Sequence, residues 1–168
     1  AIGCALDIFF KKRVHTIIGD GSFQLNIQEL QTIKHYNLPI NIYVLNNNGY
    51  LSIRATQNNF FPGRDCGTDS SNGVSFPEIR KIADAYSIQF MRFDDKKKLG
   101  EFVSMSNDPK IRKPFLIEII CPDNEEIIPK SQTLKKEDGT LISAPLSNMF
   151  PPLSENVREK LKLLDINI

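Results

Sequence analysis

Two short runs hold the residues best suited to chemistry. "GDGS" at 19–22 places one carboxylate, Asp20, between Gly19 and Gly21, and "NNNGYL" at 46–51 places three amides ahead of Gly49. A carboxylate and an amide oxygen are hard ligands that suit Mg²⁺, a cation that takes few protein groups and completes its octahedron with phosphate oxygens and water. Gly19 and Gly21 let a loop turn tightly and let backbone N–H groups approach an anion with no Cβ in the way. A helix start just beyond favours negative charge there. Each run alone is ordinary turn chemistry. Asp20 and Asn47 lie 27 residues apart, the length of a loop, one helix and a return strand. At that spacing the pair reads as a Mg²⁺–diphosphate site.

The elements that must position this pair follow from the apolar pattern. "RVHTII" (13–18), "INIYVL" (40–45), "IQFMRF" (88–93) and "PFLIEII" (114–120) have the length and the β-branched or aromatic content of buried strands. Between the first two, Asn26 and Glu29 suggest a capping box with Leu25 and Leu30 as its hydrophobic staple. Ile27, Leu30 and Ile33 follow as one apolar face, and "NLP" at 37–39 ends the helix. Ser75 and Glu78 suggest a second capping box, with Ile79, Ile82, Ala83 and Tyr86 at helical spacing. A third helix is expected over "KKKLGEFVSMS". Strand and helix in alternation predict an α/β, doubly wound, mainly parallel sheet with helices on both faces. Ligands of such sheets collect beyond the carboxyl ends of the strands, where Asp20 and Asn47 both fall.

The domain core is expected over 1–121. From 122 to 168 the pattern breaks into a Pro-containing tail expected to pack on the domain or a neighbour. The opening "AIGCALDIFF" reads as a helix already under way, so a C-terminal piece of a longer protein, with its upstream domains missing, is expected. There is no internal repeat.

Composition narrows the function classes. The 21 Lys and Arg nearly balance 20 Asp and Glu, which argues against a nucleic-acid or membrane surface. No apolar run approaches the ~18 residues of a membrane span and no signal peptide is visible, so a cytoplasmic protein is expected. Cys4, Cys66 and Cys121 fit neither a disulfide framework nor a CxxC metal site and read as free thiols. Neither a P-loop nor a G-x-G-x-x-G fingerprint is present. "DSSNG" at 69–73 would need an acid where Arg80 stands to be a calcium loop. His15 and His35 have no paired ligand and read as packed or surface residues.

GDG, then 24 residues, then NN resembles the signature of thiamine diphosphate enzymes. The run "GDGSFQLNIQELQTIKHYNLPINIYVLNNNGY" and the tail "DGTLISAPLSNMFPPL" are similar to the acetolactate synthase-like and pyruvate decarboxylase-like superfamily, in which this chain would be the C-terminal diphosphate-binding domain of a three-domain enzyme. The resemblance implies that Asp20, Asn47 and the Gly49 carbonyl bind Mg²⁺. It implies that Gly19, Gly21 and Ser22 belong to the diphosphate loop, Gly21 and Ser22 through their backbone amides, and that Tyr50 and Leu51 line the approach of the cofactor. The implied activity is decarboxylation or carboligation of a small-molecule 2-oxo acid, as a lyase or transferase.

The catalytic glutamate of the family lies in a pyrimidine-binding domain of the same or a partner chain, so no catalytic acid or base is assigned here. The resemblance also implies a homodimer or homotetramer, and FAD, where a relative uses it, would be held by a domain outside this sequence. Acetolactate synthases often carry an aromatic, Trp-containing run after NN. This chain has "GYLSIRATQNNFF" and no Trp, so pyruvate is not assigned as substrate. Arg54 in that run is expected to make an ion pair; contact with an acidic substrate group is the alternative. A non-catalytic thiamine diphosphate-binding module or subunit, dependent on a partner pyrimidine-binding domain, stays open beside the enzyme.

Overall fold

The computed structural model describes residues 1–7, 11–106, 108, 112–125, 128–145 and 148–163, in two units, Ala1–Asn124 and Glu125–Ile168. The first unit runs α1 (Ile2–Asp7), β1 (Val14–Gly19), α2 (Asp20–Gln24), α3 (Glu29–His35), β2 (Ile40–Asn46), α4 (Leu51–Phe60), α5 (Ile79–Ala85), β3 (Gln89–Phe93), a 3-10 turn (Lys96–Lys98), α6 (Leu99–Ser106) and β4 (Phe115–Ile120). All four strands are parallel, in the order β1-β2-β4-β3. The four apolar runs of the sequence are these four strands.

The order sets where the helices go. From β1 to β2 to β3 the chain advances across the sheet, and from β3 to β4 it steps back. Right-handed crossovers then put α2, α3 and α5 on one face and α6 on the other, the doubly wound α/β arrangement. The main core agrees: Phe23, Leu30 and Ile33 join Ile79, Ile82 and Ala83 over Ile40, Ile42, Val44 and Leu116. Each fully buried Leu or Ile there contributes about 1.5–3 kcal/mol. On the opposite face Phe115 and Ile117 are buried, while Ile17 is 73% exposed on the edge strand β1.

Neither capping box forms. The chain enters a helix at Asp20, straight off β1, rather than after a loop. Asn26 therefore falls in the turn between α2 and α3, where its Nδ2 donates to the Ser22 carbonyl (3.1 Å). Gln28 is the N-cap of α3 without a side-chain hydrogen bond, and Leu25 is 70% exposed instead of stapled to Leu30. Glu78, the predicted N3, is itself the N-cap of α5 and makes no side-chain cap; its carboxylate pairs with Lys81 (3.2 Å). The helix ends are better defined. Asn37 (φ 48°) and Ser87 (φ 50°) take the left-handed conformation, with Leu38 N–H bonded to the Ile33 carbonyl and Ile88 N–H to that of Ala83. Both are Schellman stops, and each sends the chain back into a strand.

The second unit contains β5 (Lys130–Ser131), β6 (Thr133–Lys135), β7 (Leu141–Ser143), β8 (Met149–Phe150) and α7 (Glu155–Leu163). β5 pairs with β8 and β6 with β7, both antiparallel. The β6–β7 turn is closed by Gly139 (φ 84°) and by Asp138, whose Oδ1 accepts from Thr140 N–H (2.9 Å). No helix among the described residues is long and apolar enough to cross a membrane.

Candidate cofactor site

β1 ends at Gly19 and delivers Asp20 into the first turn of α2; β2, its parallel neighbour, ends at Asn46 and delivers residues 47–50. The two strand ends meet at Asp20. Its buried carboxylate accepts from Gly21 N–H at Oδ1 (2.7 Å) and from Asn47 N–H (3.2 Å) and Gly49 N–H (3.1 Å) at Oδ2. A carboxylate offers about four acceptor positions, so three N–H groups leave room for a cation. Among the described residues, Asn47 Oδ1 is buried with no hydrogen-bond partner. A buried amide oxygen without a donor is costly unless a cation or another donor meets it. The Gly49 carbonyl accepts only Leu51 N–H (3.1 Å) among the backbone bonds of this loop, which leaves a lone pair.

The glycines are used differently from the expectation. Gly19 has an extended backbone (φ −76°, ψ 159°) and open space where a Cβ would sit, so no tight turn requires it. Gly21 has no positive φ either; it is small because the Tyr50 ring lies on it, with Cδ1 2.7 Å from an added Cβ. Tyr50 in turn packs edge-on to Phe76 (5.5 Å). Gly49 is equally crowded: an added Cβ would meet the Thr68 carbonyl and, at 2.6 Å, Arg54 Nη2. Ser22 is exposed at the α2 surface and Leu51 opens α4.

Arg54 makes the expected ion pair. Its Nε lies 3.5 Å from Asp69 Oδ2, and Nη1 donates to the Asp123 carbonyl (3.1 Å) and Asn124 Oδ1 (3.3 Å). It thereby ties α4 to the 67–74 loop, which also receives Tyr50 N–H at the Thr68 carbonyl (2.8 Å). The "DSSNG" run is an Asx turn. Ser71 donates to Asp69 through its hydroxyl and its N–H, and these bonds, with the Arg54 charge, hold the Asp69 carboxyl below the ordinary carboxylate range.

Three polar residues beside the site were not anticipated. Glu118 is buried in β4, where its Oε1 accepts from Asn46 Nδ2 and its Oε2 from Arg92 Nε, each at 2.7 Å. The Glu118 bond and charge raise the Arg92 guanidinium above its usual value. The signal was present as the lone acid in "FLIEII". These groups, with Asp20, Asn48 and Arg54, border a cavity of about 710 Å³. Among the described residues its lining does not include Gly21, Ser22, Asn47, Gly49, Tyr50 or Leu51, so the cavity flanks the loop rather than opening over it.

His15 bonds Tyr43 through Nδ1 (2.8 Å) and His35 stacks edge-on to Tyr36; both lie away from the site. Cys4, Cys66 and Cys121 are free thiols. No group of three or more His, Cys, Asp or Glu side chains among the described residues is placed to hold a metal. A cation here would take the mixed set of one carboxylate, one amide oxygen and one backbone carbonyl.

A parallel sheet carrying an acid and an amide loop on adjacent strand ends defines a class that sequence comparison identifies. The family described as "Thiamine pyrophosphate enzyme, C-terminal TPP binding domain" matches residues 1–119, and the chain belongs to it, thiamine pyrophosphate and thiamine diphosphate being one compound. Its relatives include acetolactate synthase 3, chloroplastic, of Brassica napus, 32% identical over 117 residues (67% of this chain, 18% of that protein). A probable acetolactate synthase large subunit of Methanococcus aeolicus is 29% identical over 153 residues (91% and 23%). The acetolactate synthase large subunit of Lactococcus lactis is 29% identical over 118 residues (70% and 20%). The chain thus covers about a fifth of the length of these relatives.

Proposed function

We propose that this chain is the cofactor-binding part of a thiamine diphosphate- and Mg²⁺-dependent enzyme that decarboxylates a 2-oxo acid and passes the product to a proton or a second carbonyl acceptor. The observation that carries the reading is the buried Asn47 Oδ1, without a hydrogen-bond partner among the described residues, on the residue whose backbone N–H donates to the Asp20 carboxylate. In this reading Asp20, Asn47 and the Gly49 carbonyl hold Mg²⁺, and the Gly21 and Ser22 amides meet the diphosphate. Gly21 N–H now donates to Asp20 and would be shared with the phosphate oxygens. Tyr50 and Leu51 border the approach. The bound cofactor supplies the electron sink that loss of CO₂ from a 2-oxo acid requires.

In this reading the residues of this chain bind and orient, and no proton transfer is assigned to them. The glutamate facing the aminopyrimidine, and the wall that excludes water, belong in this reading to a pyrimidine-binding domain of the same or a partner chain, within a homodimer or homotetramer. The relatives' names favour carboligation as the outcome.

Calorimetric titration of the full-length protein with thiamine diphosphate and Mg²⁺ tests this. Asp20→Ala is expected to abolish Mg²⁺-dependent binding. Because Asp20 also holds three N–H groups, Asp20→Asn, which keeps one acceptor oxygen, is titrated beside it, with circular dichroism to verify folding. Wild-type affinity in both folded variants would contradict the assignment.

A further inference from the structure

Glu118 is the one acid in the described part of β4, and burying it is expensive unless both oxygens are satisfied. Both are. Arg92 Nε occupies Oε2 and Asn46 Nδ2 occupies Oε1. An amide whose nitrogen is fixed in this way has its oxygen fixed too, and Asn46 Oδ1 accepts from Asn48 N–H (3.1 Å). The Asn46 backbone is pinned by Cys121 N–H, which donates to its carbonyl (2.8 Å). Asn48 sits at φ 57°, a conformation that costs an L-residue energy and persists only where its surroundings impose it. The three successive amides of the loop are therefore held from two sides: those of Asn47 and Gly49 by Asp20, and that of Asn48 by the Asn46–Glu118 pair.

We infer that Glu118 is a positioning residue for the cation loop: through Asn46 it fixes the Asn48 amide, and so presets the direction of the Asn47 side-chain oxygen and the Gly49 carbonyl. This rests on the cofactor reading above and extends it to a residue outside the proposed metal and diphosphate ligands. A loop ordered before binding does not lose that freedom on binding, so the relay acts on affinity. Replacing the carboxylate by an amide leaves one of its two contacts facing donor to donor. Loss of such a bond corresponds to roughly a tenfold change in an equilibrium constant.

The test uses the full-length protein. Hydrogen exchange of peptides covering residues 44–51 is measured without cofactor, and Mn²⁺ affinity in the presence of thiamine diphosphate is measured by electron paramagnetic resonance. Glu118→Gln and Asn46→Ala are each expected to speed exchange in this peptide and to weaken Mn²⁺ by about tenfold. The double variant is expected to be no weaker than the poorer single one, since both substitutions break one relay. If Glu118→Gln does not fold, Asn46→Ala alone decides through the same two measurements. Unchanged exchange and affinity, or losses that multiply in the double variant, would overturn the inference while wild-type, Asp20-dependent binding left the cofactor reading standing. Failure of the wild type to bind Mn²⁺ would overturn both.

Discussion

At the residue scale, Asp20 does two jobs with one carboxylate: it satisfies three backbone N–H groups and faces the loop that carries Asn47. That it lay near Asn47 was legible from spacing alone, because a parallel crossover leaves little choice. That it would hold the loop by its amides was not, since backbone donors leave no mark in a sequence. Gly21 was legible as a residue that must lack a Cβ, but the ring beside it was not. The space is filled by the Tyr50 ring, which is itself packed against Phe76. Gly21→Val is therefore expected to displace Tyr50 and the adjoining loop. It should lower stability by about 1–3 kcal/mol, as overpacking does, and weaken cofactor binding as well. Pairing Gly21→Ala with Tyr50→Ala should recover part of the stability lost by Gly21→Ala alone, measured by chemical denaturation. A double variant with no recovery would show that the ring is not what excludes a side chain at position 21.

At the element scale, the strands were readable because buried parallel strands concentrate Val, Ile and Phe into short runs, and α3 was readable because Leu30 and Ile33 recur on one face. The helix starts were misread. Ser or Asn followed by Glu three residues on is a local signal: for Asn26 the direct entry from β1 into α2 overrode it, and beyond Ser75 the helix α5 begins only at Ile79, with Glu78 itself as N-cap. α4 was not anticipated at all: none of its residues is buried, so no apolar face announced it. The stops at Asn37 and Ser87 depend on a left-handed residue that glycine fills at less cost. Ser87→Gly removes a penalty of about 1 kcal/mol in the folded state and gives back part of it as unfolded-chain entropy. The urea midpoint for loss of α5 is expected to rise slightly, by the equivalent of about 0.5 kcal/mol. A fall would mean that the Ser87 side chain contributes something its backbone geometry does not reveal.

At the scale of the whole molecule, the first unit is a parallel sheet whose strand ends gather Asp20, the amide loop and the Arg92–Glu118–Asn46 relay at one rim. Membership of the thiamine pyrophosphate enzyme family rests on residues 1–119, and the chain corresponds to about a fifth of the acetolactate synthases it resembles. The proposed chemistry accordingly divides between a rim that holds metal and diphosphate and a second domain that faces the reacting ring. Diffraction can locate a metal at that rim. Crystals of the full-length protein grown with thiamine diphosphate and Mn²⁺ in place of Mg²⁺, measured at the manganese edge, should show one strong anomalous peak per chain at this rim. It should lie roughly 2.1–2.3 Å from an Asp20 oxygen, Asn47 Oδ1 and the Gly49 carbonyl, near the distances of small divalent cations to oxygen. A peak elsewhere, or a bound diphosphate with no metal between it and Asp20, would show that Asp20, Asn47 and Gly49 do not form the cation site.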